Sequence, residues 1–203
     1  MKILHTTDLH FNKHWFKWIS SQEENYDVIC ITGDFLDDRK EETLLEQITW
    51  VSNWLKSFKK PIFVCSGNHD IEELENQYWL NKIPNVYADE SIKIINGVKF
   101  GCISYIAVDF YKYDECDVIL YHTPPSHTKT SIHETTKVDW GDKEFSKLLK
   151  KNILIPKIVL CGHLHYPVAT IDKINNTTIY NTGVNKISLI PNYHKIFLNI
   201  FDK

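Results

Sequence analysis

Short apolar runs recur along the chain, and each stops abruptly at polar residues or glycine. Residues 28–31, Ile62–Cys65, Val118–Tyr121 and Ile158–Cys161 are continuous runs of this kind. Unbroken apolarity over four residues marks strands covered on both faces, as in parallel sheets. The opening residues 3–7 read as a first strand. A different period fills the gaps. Over residues 41–60 the apolar side chains fall at Leu44, Ile48, Val51, Leu55 and Phe58, a spacing of fours and threes that draws a helical stripe. Its first turn is acidic and its last basic, as the helix dipole prefers, and Pro61 ends it. Trp50 and Trp54 on this helix read as partly exposed packing or a partner surface. Shorter helices are expected over 15–24, 71–81 and 140–151. Asn96-Gly97 between apolar runs predicts a hairpin joining Ile92–Ile95 to Val98–Ile103. A second hairpin, 167–172 with 177–182, is expected to turn at Asn175-Asn176, and 195–201 to form a last strand. Strand–helix repeats with hairpins predict an α/β fold, a layered sandwich with helices outside. No linker or repeat divides it, so residues 1–203 are expected to form one domain.

Composition narrows the function. Net charge is −3, so no global basic field favours extended polynucleotide binding, although a nuclease with a local patch stays open. Arg39 is the only arginine among 23 basic side chains. Phosphate recognition by several guanidinium forks is therefore excluded, and metal ions, lysines, histidines and backbone amides must supply it. The five cysteines show no metal-ligand spacing and read as reduced core thiols. No leader-like start and no run of about 18 apolar residues occurs, so a cytoplasmic protein with no membrane association is expected.

The chemistry lies directly after the strands. Asp8-Leu9-His10 follows the first, Gly33-Asp34 and then Asp37 follow the second, and Gly67-Asn68-His69-Asp70 follows the third. His122 follows the strand at 118–121, and Gly162-His163-Leu164-His165 that at 158–161. Ligands in layered α/β folds bind beyond the carboxyl ends of strands, so five strand ends deliver polar groups to one edge. Asp8, His10, Asp34, Asn68, His122, His163 and His165 are oxygen and imidazole donors, suited to manganese first, with iron or zinc as alternatives. Seven ligands exceed what one catalytic ion takes while keeping a position for water; two ions sharing a carboxylate account for all. The glycines at 33, 67 and 162 are expected to let the backbone turn sharply.

These segments read DLH, GDFLD, GNHD, YHTPP and GHLHYP, in order from residue 8 to 165, and the set resembles the calcineurin-like metallophosphoesterases. The resemblance implies a two-sheet αββα sandwich with a dinuclear centre along one edge. Asp8, His10, Asp34 and His165 would hold one ion; Asp34 would bridge to a second completed by Asn68, His122 and His163. The reaction implied is attack on a phosphoester by a water that both ions acidify. His69 would protonate the leaving group as general acid, with Asp37 orienting its ring or standing as a solvated loop acid.

Other polar residues divide between roles. His5 reads as a structural, hydrogen-bonded histidine. His14 and Trp15 flank the first motif, with Trp15 either packing in the core or stacking on a base. Residues 123–139, with His127, Lys129 and His133, either rim the pocket or merely connect. Protein phosphatases of this family place Arg directly after the second Asp, whereas Asp38 intervenes here before Arg39. The opening resembles recombination-type nucleases, which carry a long further domain. The expected substrate is therefore a small nucleotide-like or short nucleic-acid phosphodiester; a phosphomonoester is the alternative, and a nuclease or a non-catalytic scaffold is less favoured. Oligomeric state is open.

Overall fold

The computed structural model describes residues 1–71, 78–106 and 109–199. Two mixed sheets face each other. The first has the order β11-β1-β2-β3-β4, from β1 (Lys2–Thr6), β2 (Val28–Thr32), β3 (Ile62–Cys65), β4 (Val86–Tyr87) and β11 (His194–Phe197). The second has the order β5-β6-β7-β8-β10-β9, from β5 (Ile92–Ile95), β6 (Val98–Ile103), β7 (Val118–Tyr121), β8 (Ile158–Cys161), β9 (Ile171–Ile174) and β10 (Thr177–Asn181). Strands β1 to β4 are parallel, as are β6, β7, β8 and β10, while β11, β5 and β9 run antiparallel on the flanks.

Alternation along each strand builds three apolar layers. Ile3, Val28, Cys30 and Phe63 point between the sheets and meet Phe100, Leu120 and Leu160 from the second sheet. Their neighbours Leu4, Ile29, Ile31 and Val64 point outward beneath α1 (Lys13–Ser21) and α2 (Leu44–Lys56). On the far side, α3 (Lys143–Lys150) packs Phe145, Leu148 and Leu149 over Ile119, Val159 and Ile179. The result is the αββα sandwich.

Local chemistry fixes the boundaries. Helix α2 starts later than the stripe suggested, because Thr43 and Glu46 form a reciprocal capping box there. Trp54 is buried and donates its indole N–H to the Ser20 hydroxyl (2.7 Å), so packing takes this ring. Asn12 caps α1, and α1 ends at Ser21, with a 3₁₀ turn over Glu23–Asn25. The Asn96-Gly97 hairpin forms as expected, with φ of 49° and 82° at its corner. The second hairpin also forms, but β9 starts at Ile171 and not at 167. The helix expected over 71–81 falls largely on residues 72–77, outside the described residues; Leu80–Lys82 is a 3₁₀ turn. The last strand, expected over 195–201, is His194–Phe197, and its final residues also fall outside the described set. All five cysteines are buried free thiols. Among the described residues, no helix is long and apolar enough to cross a membrane.

Candidate metal centre

The carboxyl ends of β1, β2, β3, β7 and β8 open on one edge of the sandwich. Backbone pairing continues past the first two strands: the Asp8 N–H donates to Gly33 O (3.0 Å), and that of His10 to Asp34 O (2.9 Å). Asp8, His10, Asp34 and His163 all have positive φ, between 42° and 66°. Non-glycine residues avoid this region unless the surroundings enforce it. Strain therefore collects where four candidate ligands sit.

The side chains converge. His165 Nε2 lies 3.3 Å from Asp8 Oδ1 and 3.0 Å from His10 Nε2. His122 Nε2 lies 3.4 Å from Asp34 Oδ2 and 3.2 Å from Asn68 Oδ1, while His163 Nδ1 is 2.9 Å from that same Asn68 oxygen. Asp34 Oδ2 is also 3.9 Å from His10 Nε2, so its carboxylate stands between the two groups. Donor atoms of Asp8, His10 and His165 lie within 4.8 Å of one another, as do those of Asp8, Asp34 and His122, and those of His10, Asp34 and His69. The seven side chains predicted as ligands thus meet at one place.

The donor set fits cations. Asp8 Oδ1 is fully buried with no hydrogen-bond partner. A buried carboxylate oxygen left this way is costly unless a cation satisfies it. Burial works against charge on Asp8 and Asp34, yet the surrounding histidines hold both carboxyls below their usual range. Burial and the neighbouring His122 push His163 down to about 4, and burial likewise lowers His10, so both rings stay neutral and ready to ligate. His122 differs: burial opposes its charge, but Asp34 and Asp8 outweigh burial and raise it to about 9. Its Nδ1–H donates to Thr32 O at 2.6 Å, which aims Nε2 at Asn68 and Asp34.

Three supporting roles were not legible from residue type alone. Asp70, the last residue of Gly-Asn-His-Asp, is fully buried and accepts four backbone N–H groups. Those of Asp34 (2.8 Å) and Gly67 (2.9 Å) reach Oδ2; those of Phe35 (2.8 Å) and Leu36 (3.1 Å) reach Oδ1. Burial and the Asp34 charge push its pKa up, but two N–H donors on each oxygen, which a protonated carboxyl could not all satisfy, hold it ionised. Asn181, closing β10, brings its amide within 3.1 Å of Thr130 O, Gly162 O and Leu164 O, pinning the Gly-His-x-His loop. The glycines serve two ends. Gly33 has φ of 85° and does turn the chain. Gly67 and Gly162 do not adopt positive φ; they are needed because a Cβ would collide with Asp34 Oδ1 at the first, and with the Thr7 hydroxyl and Asp8 Oδ2 at the second.

His69 reaches the site by its position between Asn68 and Asp70: its N–H donates to Asp34 Oδ1 (3.0 Å) and its ring stands edge-on to His10 at 5.0 Å. It lines a cleft of about 300 Å³ with Asp34, Asn68, His163 and His165. Asp37 is not brought to that ring. Arg39 reaches back to it with two bonds of 2.7 and 3.1 Å, and Gln47 of α2 holds its backbone N–H and carbonyl, both at 2.9 Å. Asp37 instead lines a second cleft with His10, Arg39, Lys40 and Lys186. Trp15 is buried, with its indole N–H on Ser188 O, and His5 is buried against the Thr32 hydroxyl. His14 is exposed on α1, outside the residues lining either cleft.

Comparison with known proteins agrees with this fold. A curated relative, the 3',5'-cyclic adenosine monophosphate phosphodiesterase CpdA of Haemophilus influenzae, is 26% identical over 171 residues, covering 75% of this chain and 59% of its own. The chain thus spans under two thirds of that relative's length. Among solved structures, the Thermus thermophilus protein TT1561 superposes with a TM-score of 0.65 at 14% identity, covering 90% of this chain and 88% of its own. An archaeal phosphodiesterase gives 0.50 at 18%, covering 98% and 100%. The profile of the calcineurin-like phosphoesterases matches residues 1–167, and the chain belongs to that family.

Proposed function

We propose that this protein hydrolyses a small, nucleotide-like phosphodiester at a dinuclear metal centre. The observation that carries the proposal is the convergence of seven donor side chains from five strand ends, with Asp34 standing between the two groups. Asp8, His10, Asp34 and His165 would hold one ion, and Asp34, Asn68, His122 and His163 the other. Such ions supply Lewis acidity, lowering the pKa of a water and neutralising phosphoryl oxygens.

The chain's own groups do the rest. Thr32 O fixes the His122 tautomer, and Asp70 sets the path of the Asp34 loop. His69 lines the cleft beside Asp34, within reach of a leaving oxygen, and donates its proton there as general acid. The Asp37 carboxylate is occupied by Arg39, so packing against His10, and not Asp37, sets the His69 ring. The relative named for cyclic adenosine monophosphate supports a nucleotide diester.

The test is turnover of bis-p-nitrophenyl phosphate against p-nitrophenyl phosphate, with Mn²⁺ and with chelator. Mn²⁺-dependent turnover favouring the diester is expected; His69→Ala should lower kcat by about 10²–10⁴ on 3',5'-cyclic adenosine monophosphate, whose alkoxide leaving group needs a proton, and much less on p-nitrophenyl esters, whose phenolate does not. Preference for the monoester would replace the diester reading, and metal-free turnover at the wild-type rate would sink it.

A further inference from the structure

Three side chains on the rim of the catalytic cleft take no part in the chemistry above. Trp140 and Tyr166 are 53% and 43% exposed, yet both line the cleft with Asp34, Asn68, His163 and His165. The Trp140 ring centroid is 6.2 Å from that of His163, and Tyr166 is 6.3 Å from His165, so each ring stands beside a candidate metal ligand. His133 completes the rim, 6.1 Å from Tyr166.

Their backbone is held in place. The Trp140 N–H donates to Ser131 O (2.9 Å), Glu134 N–H to Tyr166 O (2.9 Å), and Val168 N–H to Ile132 O (2.9 Å). Asp139 gathers the Ser126 hydroxyl, the His127 N–H and the Gly141 N–H, while Asn181 ties Thr130 to the Gly-His-x-His loop. Two exposed aromatic rings on a fixed frame bind a flat partner at small entropic cost. Among the described residues of the lining, Leu164 is the one aliphatic side chain, and aromatic and polar groups make up the rest. His133 adds direction. Its Nδ1 accepts from the backbone N–H groups of Thr135 (3.1 Å) and Thr136 (3.3 Å), which leaves the proton on Nε2 as a donor at the rim. At about 300 Å³ the space sits at the small end of ligand clefts.

We infer that Trp140 and Tyr166 form a stacking platform for the nucleobase of the substrate, with His133 donating to a ring nitrogen or carbonyl of that base. The platform rests on the hydrolase reading and names its substrate class: a mononucleotide-sized diester with the base on the rim beside His163 and His165.

Binding tests it without catalysis. Titration calorimetry with adenosine 5'-monophosphate and with base-free ribose 5-phosphate, on Mn²⁺-loaded and chelator-treated protein, compares wild type, Trp140→Ala, Trp140→Phe and Tyr166→Ala. The nucleotide is expected to bind wild type at least ten-fold more tightly than ribose 5-phosphate, and Trp140→Ala to lose about five-fold or more for the nucleotide alone, since stacking is worth that much per base. Trp140→Phe should recover most of the loss. Equal binding of the two ligands, or equal loss of both in Trp140→Ala, overturns the platform. Turnover of bis-p-nitrophenyl phosphate reads the catalytic proposal separately, so a flat binding result with normal turnover overturns the platform alone.

Discussion

Replacing Asp70 by Asn isolates a charge that touches no proposed ligand atom. Two N–H groups converge on each of its carboxylate oxygens, at 2.8–3.1 Å. Asparagine keeps one oxygen and so retains one pair of acceptances. Its amide would point two donors at the other pair, leaving two buried N–H groups unsatisfied. Each costs about 1–3 kcal/mol, so the loss is about 2–6 kcal/mol. Removing a charge beside Asp34 returns about 2 kcal/mol of that, for carboxylates roughly 7–8 Å apart at an effective dielectric of about 20. A net loss of about 2 kcal/mol lowers Tm by about 4–8 °C for a chain of this size. Calorimetric melting of both proteins at pH 7, with Mn²⁺ and with chelator, measures it. A Tm within about 2 °C of wild type would refute the reasoning, because it would mean that Asp70 is already protonated and donates a hydrogen bond of its own.

Gly162→Ala is expected to cost about 2 kcal/mol and at least ten-fold in metal affinity, since the new methyl meets Thr7 and Asp8. Gly97→Ala, where nothing lies within 4 Å but φ is 82°, should cost about 1 kcal/mol and leave metal affinity unchanged; calorimetry with metal titration separates the two. His5 is buried and kept neutral by burial and by His194, so its folded pKa lies well below 6.5. The unfolded chain then binds the extra proton. Stability from this residue is complete above about pH 6.5 and is lost as pH falls towards the folded pKa, by about 1.3 kcal/mol between pH 7 and 5.5. Urea unfolding should show that slope flattened in His5→Asn, and an unchanged slope would remove His5 as its source. Divalent ions that bind only the folded site should raise Tm with concentration, adding about 2.7 kcal/mol of stability at one hundred times Kd; no shift with any of Mn²⁺, Fe²⁺ or Zn²⁺ would count against the centre.

The pattern of apolar runs was enough for β2, β3, β7 and β8, because strands buried on both faces leave no polar position to blur the signal. It missed β4, whose two residues carry no period at all. The seven candidate ligands were legible for a related reason: each lies within three residues of the end of a readable strand, or two residues beyond a ligand that does. Asp37 shows the limit. Spacing put it near the site, but the partner of a carboxylate depends on which basic side chain can fold back, and Arg39 does so. Asp70 lay in a visible motif, and Asn181 in an expected strand that carried none. Their task is to hold backbone, which only three-dimensional neighbours disclose.

Asp8, Asp34 and Asn68 come from the first sheet, and His122, His163 and His165 from the second. The spacing between the two halves of the centre is therefore set far from it, by the thickness of the layer in which Phe63 stacks on Phe100 at 4.5 Å. That layer acts as a ruler. A change of side-chain volume there, on residues that touch no ligand, alters the distance across which the two halves of the centre must cooperate.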